Sequence, residues 1–107
     1  MTAERPLEVG VIGVGTMGQH HARVYDELED ASLTGVFDVD AERASAVADR
    51  HGTAAVGLEA LLGRVDAVSV AVPTAHHLEV AKRCLEAGVP ILVEKPVVGE
   101  LADVRRL

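Results

Sequence analysis

Leu7-Glu8-Val9-Gly10-Val11-Ile12-Gly13-Val14-Gly15-Thr16-Met17-Gly18 decides how the rest of the chain is read. The first six residues form a Val/Ile run of strand length. The last six match G-x-G-x-x-G, and Thr16–Leu28 continues as a helical pattern. Glycines mark many turns, so the pattern alone is weak. A strand immediately before it and a helix immediately after it are the context that dinucleotide binding requires. Gly13 would allow the tight turn, Gly15 the close approach of backbone to a pyrophosphate, and Gly18 close packing of helix on strand. Thr16 and Met17, at the helix start, would offer free N–H groups to an anion.

Outward from this stretch, apolar runs and helical patterns alternate. Ser32–Phe37 reads as a second strand. Ala41–His51 reads as a second helix, with Asp40 as N-cap and Gly52 as the residue that ends it. Thr53–Val56 reads as a short third strand, and Glu59–Leu62 as one helical turn closed by Gly63. Asp66–Val72 is the clearest strand, stopped by Pro73. His76–Ala87 is a helix in which Leu78, Ala81 and Leu85 recur at helical spacing, with Gly88 as the stop. Pro90–Glu94 is the last strand, and Glu100–Leu107 looks like the start of another helix. Strands alternating with helices imply βαβ units and a parallel sheet. The expected class is α/β, a doubly wound parallel sheet of about five strands in the order 3-2-1-4-5.

The second informative residue is Asp38, at the tip of the second strand and 20 residues after Gly18. A carboxylate there accepts hydrogen bonds from the adenosine ribose hydroxyls and repels a 2′-phosphate, which favours NAD over NADP. The plain alternative is an acid that caps the next helix, a role that Asp40 fits better. Arg43, one turn into that helix, could meet a 2′-phosphate or be a solvated charge near the adenine. Val72-Pro73-Thr74, after the fourth strand, would face the glycine loop across the crevice where such sheets bind ligands.

Composition narrows the function classes. Chain length (107 residues) suits one domain, which should bury about 65% of its unfolded surface. Val (18), Ala (16) and Leu (11) dominate, while Phe37 and Tyr25 are the only aromatics, as expected for Val-rich strands under Ala/Leu-rich helices. A net charge of −7 with no Lys/Arg cluster argues against nucleic acid as a partner. No apolar run approaches the roughly 20 residues of a membrane span. The lone Cys84 forms no internal disulfide, and no export signal is evident. A soluble, cytoplasmic protein is expected.

Other reactive side chains weigh less. His20-His21 and His76-His77 are adjacent pairs whose members point about 100° apart on a helix, so neither pair chelates one metal. No metal is expected. His20 reads as a surface residue, His21 as packed beneath the glycine loop, and His51 as a cation at a helix end. Cys84 reads as a small buried hydrophobe, Tyr25 as a ring packed at the sheet margin, and Lys82-Arg83 as a solvated face.

With these pieces in order, four stretches resemble the Gfo/Idh/MocA family of NAD(P)-dependent oxidoreductases. They are Gly-Val-Gly-Thr-Met-Gly-Gln-His-His-Ala-Arg-Val-Tyr (13–25), Val-Phe-Asp-Val-Asp (36–40), Ala-Val-Pro-Thr-Ala-His-His (71–77) and Val-Glu-Lys-Pro (93–96). Glu-Lys-Pro is the family's signature. The wording around residues 21–25, 66–69 and 71–74 is most similar to UDP-N-acetylglucosamine 3-dehydrogenases and related nucleotide-sugar enzymes. The resemblance covers essentially the whole chain but only the first third of a typical member. It identifies 1–107 as a dinucleotide-binding domain, truncated at its C-terminal end and lacking the substrate domain.

The resemblance also implies roles. Val72, Pro73 and Thr74 would line the nicotinamide side of the cofactor, and His77 would approach the nicotinamide ribose. Glu94 and Lys95 would sit at the mouth of the last strand, with Lys95 reaching both cofactor and substrate hydroxyl as the catalytic residue. From spacing alone, a solvent-facing lysine at a strand end fits Lys95 equally well. The implied cofactor is NAD, the substrate a sugar or nucleotide sugar, and the full-length protein a homo-oligomer. Two functions follow: the cofactor domain of a sugar dehydrogenase, or a stand-alone NAD-binding sensor or partner module without turnover. A phosphorylation-receiver domain fails, because the first strand lacks the terminal acidic pair that would hold magnesium.

Overall fold

The computed structural model describes residues 6–92. Eight elements follow one another: β1 (Leu7–Ile12), α1 (Thr16–Glu27), β2 (Ala31–Phe37), α2 (Ala41–His51), α3 (Leu58–Leu62), β3 (Ala67–Val70), α4 (Thr74–Ala87) and β4 (Ile91–Leu92). The strands are parallel and stand in the order β2-β1-β3-β4. The chain therefore steps from β1 to one side, then returns past β1 to continue on the other. That reversal places a crevice beyond the C-terminal ends of β1 and β3.

The α/β parallel sheet is as expected, but five strands in the order 3-2-1-4-5 are not what forms. Thr53–Val56 makes a single bridge, Ala55 to Val36, instead of a third strand. Val36 provides the main-chain bonds of that bridge, donating its N–H to the Ala54 carbonyl at 2.9 Å and accepting the Val56 N–H at 3.0 Å, while Thr53 Oγ1 donates to the Leu33 carbonyl at 2.7 Å. Gly52, with φ +65°, ends α2 just before this segment, and Gly57 starts α3 just after it. The Thr53 N–H is taken by the end of α2, donating to the Ala48 carbonyl at 2.9 Å, so only Ala55 stands in register with a β2 residue. The last strand is seen as Ile91–Leu92, and residues 93 and 94 lie outside the described set.

Each strand face has its own helices, because successive side chains on a strand point to opposite sides. On one face Val11 and Val36 pack with Ala22 of α1 and with Ala44, Val47 and Ala48 of α2. On the other, Ile12, Val68 and Val70 pack with Leu61 and Leu62 of α3 and with Val80 and Cys84 of α4. Burial on both sides explains why the strands read as near-continuous Val/Ile runs. Gly10 and Gly35 provide the seat for α3: a Cβ at either would come within 3.0 Å of Leu61 Cδ1.

The α4 stripe differs from the expectation. Leu78 and Leu85 are 82% and 77% exposed, whereas Val80 and Cys84 are buried. Periodicity located the helix but named the wrong side. At 100° per residue Val80 and Cys84 share a face, and Leu78 lies across the axis from it.

Tyr25 packs on the α1–α2 side and bonds its hydroxyl to Ser69 Oγ, satisfying a buried polar group of β3. His51 lies at the end of α2, with Nδ1 3.1 Å from Asp26 Oδ2 of α1, an inter-helix partner that the sequence did not suggest. Burial pushes the Cys84 thiol up from its ordinary range, so it stays neutral and acts as an apolar filler.

Candidate functional site

A cleft of about 610 Å³ opens beyond the ends of β1, β2 and β3. Its walls are the glycine loop with the start of α1, the β2–α2 turn, the β3–α4 turn and one face of α4.

Gly13 turns the chain out of β1 with φ +92°, a conformation side chains rarely adopt. Its N–H donates to the Phe37 carbonyl at 2.7 Å, tying the loop to β2. Gly18 lies directly against Gly13: a Cβ there would overlap the Gly13 carbonyl oxygen, so the helix meets the loop with no side chain between them. Gly15 is different. It has ordinary extended backbone, and a Cβ on it would meet nothing within 4 Å. The space over Gly15 belongs to the cleft.

Gly15 is also the N-cap of α1. No side chain caps that helix, and no acid stands in its first turn. The contrast with α2 is direct, since Asp40 Oδ1 accepts the Arg43 N–H at 3.1 Å there. The first-turn N–H groups of α1 thus present partial positive charge to the cleft. An anion with no bulk on the protein side suits this arrangement, and a diphosphate is such an anion.

Asp38 follows β2 directly, and its side chain is 7% exposed. Its Oδ2 accepts the Val14 N–H at 2.8 Å, and its Oδ1 accepts the Asp40 N–H at 2.8 Å. A carboxylate has about four acceptor sites, so two remain for further donors. Arg43 stands 3.7 Å from Asp38 Oδ2 and 3.8 Å from Asp40 Oδ2, half-exposed at the cleft edge. It bridges two acids and is not a simple solvated charge. Val39, 92% exposed beside Asp38, offers apolar surface on the same rim.

The cleft brings together Gly13, Gly15, Thr16, Met17, Asp38, Val72 and Pro73, with Gly18 behind the loop. Thr74 opens α4 at the same turn. His76 and His77 are both exposed, and of the two it is His76 that lines the cleft. His76, Glu79, Val80 and Arg83 line one wall at the i, i+3, i+4, i+7 spacing of a single helical face. That face was legible in principle, but its orientation depended on which side of α4 met the sheet. Arg83 also corrects the reading of Lys82-Arg83 as solvated, because it lines the cleft and pairs with Glu59 of α3. Glu94 and Lys95 lie outside the described residues. Among the described residues no group of three or more His, Cys, Asp or Glu is placed to hold a metal, and no helix is long and apolar enough to cross a membrane.

Residues 7–107 match the family model described as "Oxidoreductase family, NAD-binding Rossmann fold". The chain is 46% identical over 91 residues to UDP-N-acetylglucosamine 3-dehydrogenase of Acidithiobacillus ferrooxidans, covering 84% of this chain and 28% of that protein. It is 35% identical over 105 residues to inositol 2-dehydrogenase of Renibacterium salmoninarum, covering 94% and 32%. Among solved structures it is similar to UDP-N-acetylglucosamine 3-dehydrogenase from A. ferrooxidans, with a TM-score of 0.80 and 45% identity over 87% of this chain and 29% of that one. The chain therefore spans less than a third of the length of these relatives.

Proposed function

The chain belongs to the Gfo/Idh/MocA family of oxidoreductases, and from that membership we propose that it is the cofactor-binding domain of an NAD-dependent dehydrogenase. The substrate in this reading is a hydroxyl of a sugar or nucleotide sugar, and UDP-N-acetylglucosamine oxidised at C3 is the first one to try. The observation that supports it most is the open approach at Gly15, over the uncapped start of α1, with the Asp38 carboxylate on the same cleft. The substrate's second wall lies elsewhere, in a region that the longer relatives possess and residues 1–107 do not span.

In this reading the diphosphate rests on the N–H groups of Thr16 and Met17, with the Gly15 main chain beneath it. The two remaining acceptor sites of Asp38 take the adenosine ribose hydroxyls, and the exposed side chain of Val39 meets the base. The charge on Asp38 disfavours a 2′-phosphate, and Arg43 partly offsets that charge, so the preference is for NAD over NADP. Val72, Pro73 and Thr74 border the nicotinamide end, with a histidine of α4 and Glu94 nearby. Bound NAD supplies the hydride acceptor. Lys95 polarises the substrate hydroxyl or takes its proton, without which the carbinol carbon does not become a carbonyl.

Two binding experiments bear on the cofactor. Asp38→Ala should lower the ratio of NAD to NADP affinity about tenfold or more, the scale of hydrogen bonds to a charged group. An unchanged ratio by calorimetry removes Asp38 from ribose recognition. Gly15→Ala should leave the unfolding midpoint nearly unchanged, since its Cβ meets nothing, while NAD affinity falls at least about tenfold because the methyl occupies the diphosphate's approach. Equal affinity in that variant would count against a diphosphate at this loop.

The activity is tested on the full-length protein with a panel of UDP-sugars and free polyols, followed by the absorbance of reduced nicotinamide. NAD binding with no turnover on any of them would favour a binding module without catalysis.

A further inference from the structure

Val14 sits between Gly13 and Gly15 and has no exposed surface. Both of its main-chain polar groups are held by side chains from other parts of the fold. Its N–H donates to Asp38 Oδ2 at 2.8 Å, and its carbonyl accepts from Gln19 Nε2 at 3.0 Å. Gln19 is itself braced, because its Oε1 accepts from Arg50 Nη1 of α2 at 3.2 Å. The middle of the loop is thus fixed from the β2 side through Asp38 and from the helix side through Gln19 and Arg50.

We propose that Gln19 and Asp38 are positioning residues that clamp Val14, so that the loop N–H groups already stand in the arrangement a diphosphate takes before the ligand arrives. The two glycines that give the loop its approach are also the residues with the most backbone freedom. An unclamped loop would have to be ordered by the ligand itself, and that cost would appear as lost affinity. Gln19 is one residue beyond the glycine motif and has no need to touch the ligand, so it escapes a motif-based reading. Asp38 acquires a second duty, holding the loop with one acceptor site while others remain for the ribose. The inference deepens the dinucleotide reading and rests on it.

The test compares wild type with Gln19→Met, which keeps side-chain length and helix propensity but removes the donor to Val14. ADP and adenosine are the ligands, titrated by amide chemical shifts. ADP affinity should fall about 3- to 10-fold, the net worth of one neutral hydrogen bond, while adenosine affinity stays unchanged. A merely structural role would move both ligands together. Asp38→Ala provides the second arm, with 2′,3′-dideoxy-ADP, which lacks the hydroxyls that Asp38 would bind. The clamp predicts a further several-fold loss with this ligand, whereas a residue acting on the ribose alone predicts none.

Gln19→Met binding both ligands as wild type does, or weakening both equally, overturns the clamp while leaving the dinucleotide site standing. Wild type that binds neither ADP nor NAD overturns that site, and the clamp with it.

Discussion

Gly13→Ala is expected to lower the free energy of unfolding by roughly 3 kcal/mol, from backbone strain and overpacking together. The φ of +92° at this position costs a side-chain-bearing residue about 1–3 kcal/mol. The added methyl would also stand 2.8 Å from the Ala71 carbonyl oxygen and 3.0 Å from Val72 Cγ1. Relief by rotating the loop would break the 2.7 Å bond from the Gly13 N–H to Phe37. Against a typical domain stability of about 5–15 kcal/mol, such a loss is large. It is read as a lower urea midpoint at an unchanged slope. A shift below roughly 0.5 kcal/mol, ordinary for a neutral surface change, would mean that the turn does not need a glycine. The comparison with Gly15→Ala matters: Gly13 serves the fold and Gly15 is proposed to serve the ligand, so the two variants should fail in different assays.

In the full-length protein, Lys95→Ala is expected to lower turnover about 10²- to 10⁴-fold, the usual contribution of a positioned acid or base. Hydride leaves a carbinol carbon productively only if the hydroxyl proton leaves as well, and the proposed role of Lys95 is to move that proton. NAD affinity should stay within about threefold of wild type, since the proposed diphosphate and ribose contacts are those of the glycine loop and Asp38. Lys95→Arg should not restore the rate, because a guanidinium does not deprotonate. Near wild-type turnover in Lys95→Ala would remove the residue from the chemistry, and a parallel collapse of NAD affinity would make it a binding residue.

Much of the candidate cleft was legible because its signals are local. The glycine loop, the acid after the second strand and the caps Asp40, Gly52 and Gly88 each depend on a few neighbouring residues. What stayed hidden depends on partners distant in the chain. Thr53–Val56 has a strand's composition but, among the described residues, only one bridge to the sheet, at Val36. The inward face of α4 is set by its contact with the sheet, so the spacing of Leu78 and Leu85 does not show that His76, Glu79, Val80 and Arg83 face the cleft. The pairing of Arg83 with Glu59 joins helices 24 positions apart, and no local pattern announces it. The bond from Gln19 to Val14 is short-range, yet it became informative only once the carbonyl it holds could be seen beside Asp38.

Gly10 and Gly35 show how missing atoms can steer the winding of a sheet. Neither has positive φ, so both sit in backbone that any residue could adopt. Their role is volumetric: side by side on neighbouring strands, they hollow a socket into which Leu61 fits. A methyl group would stand 2.8 Å from Leu61 Cδ1 at Gly10 and 3.0 Å from it at Gly35, so the leucine would have to shift in a helix only five residues long. This face of the sheet is thus keyed to Leu61 where it meets Leu62, Val80 and Cys84, and the key is cut from two hydrogens where side chains would otherwise be.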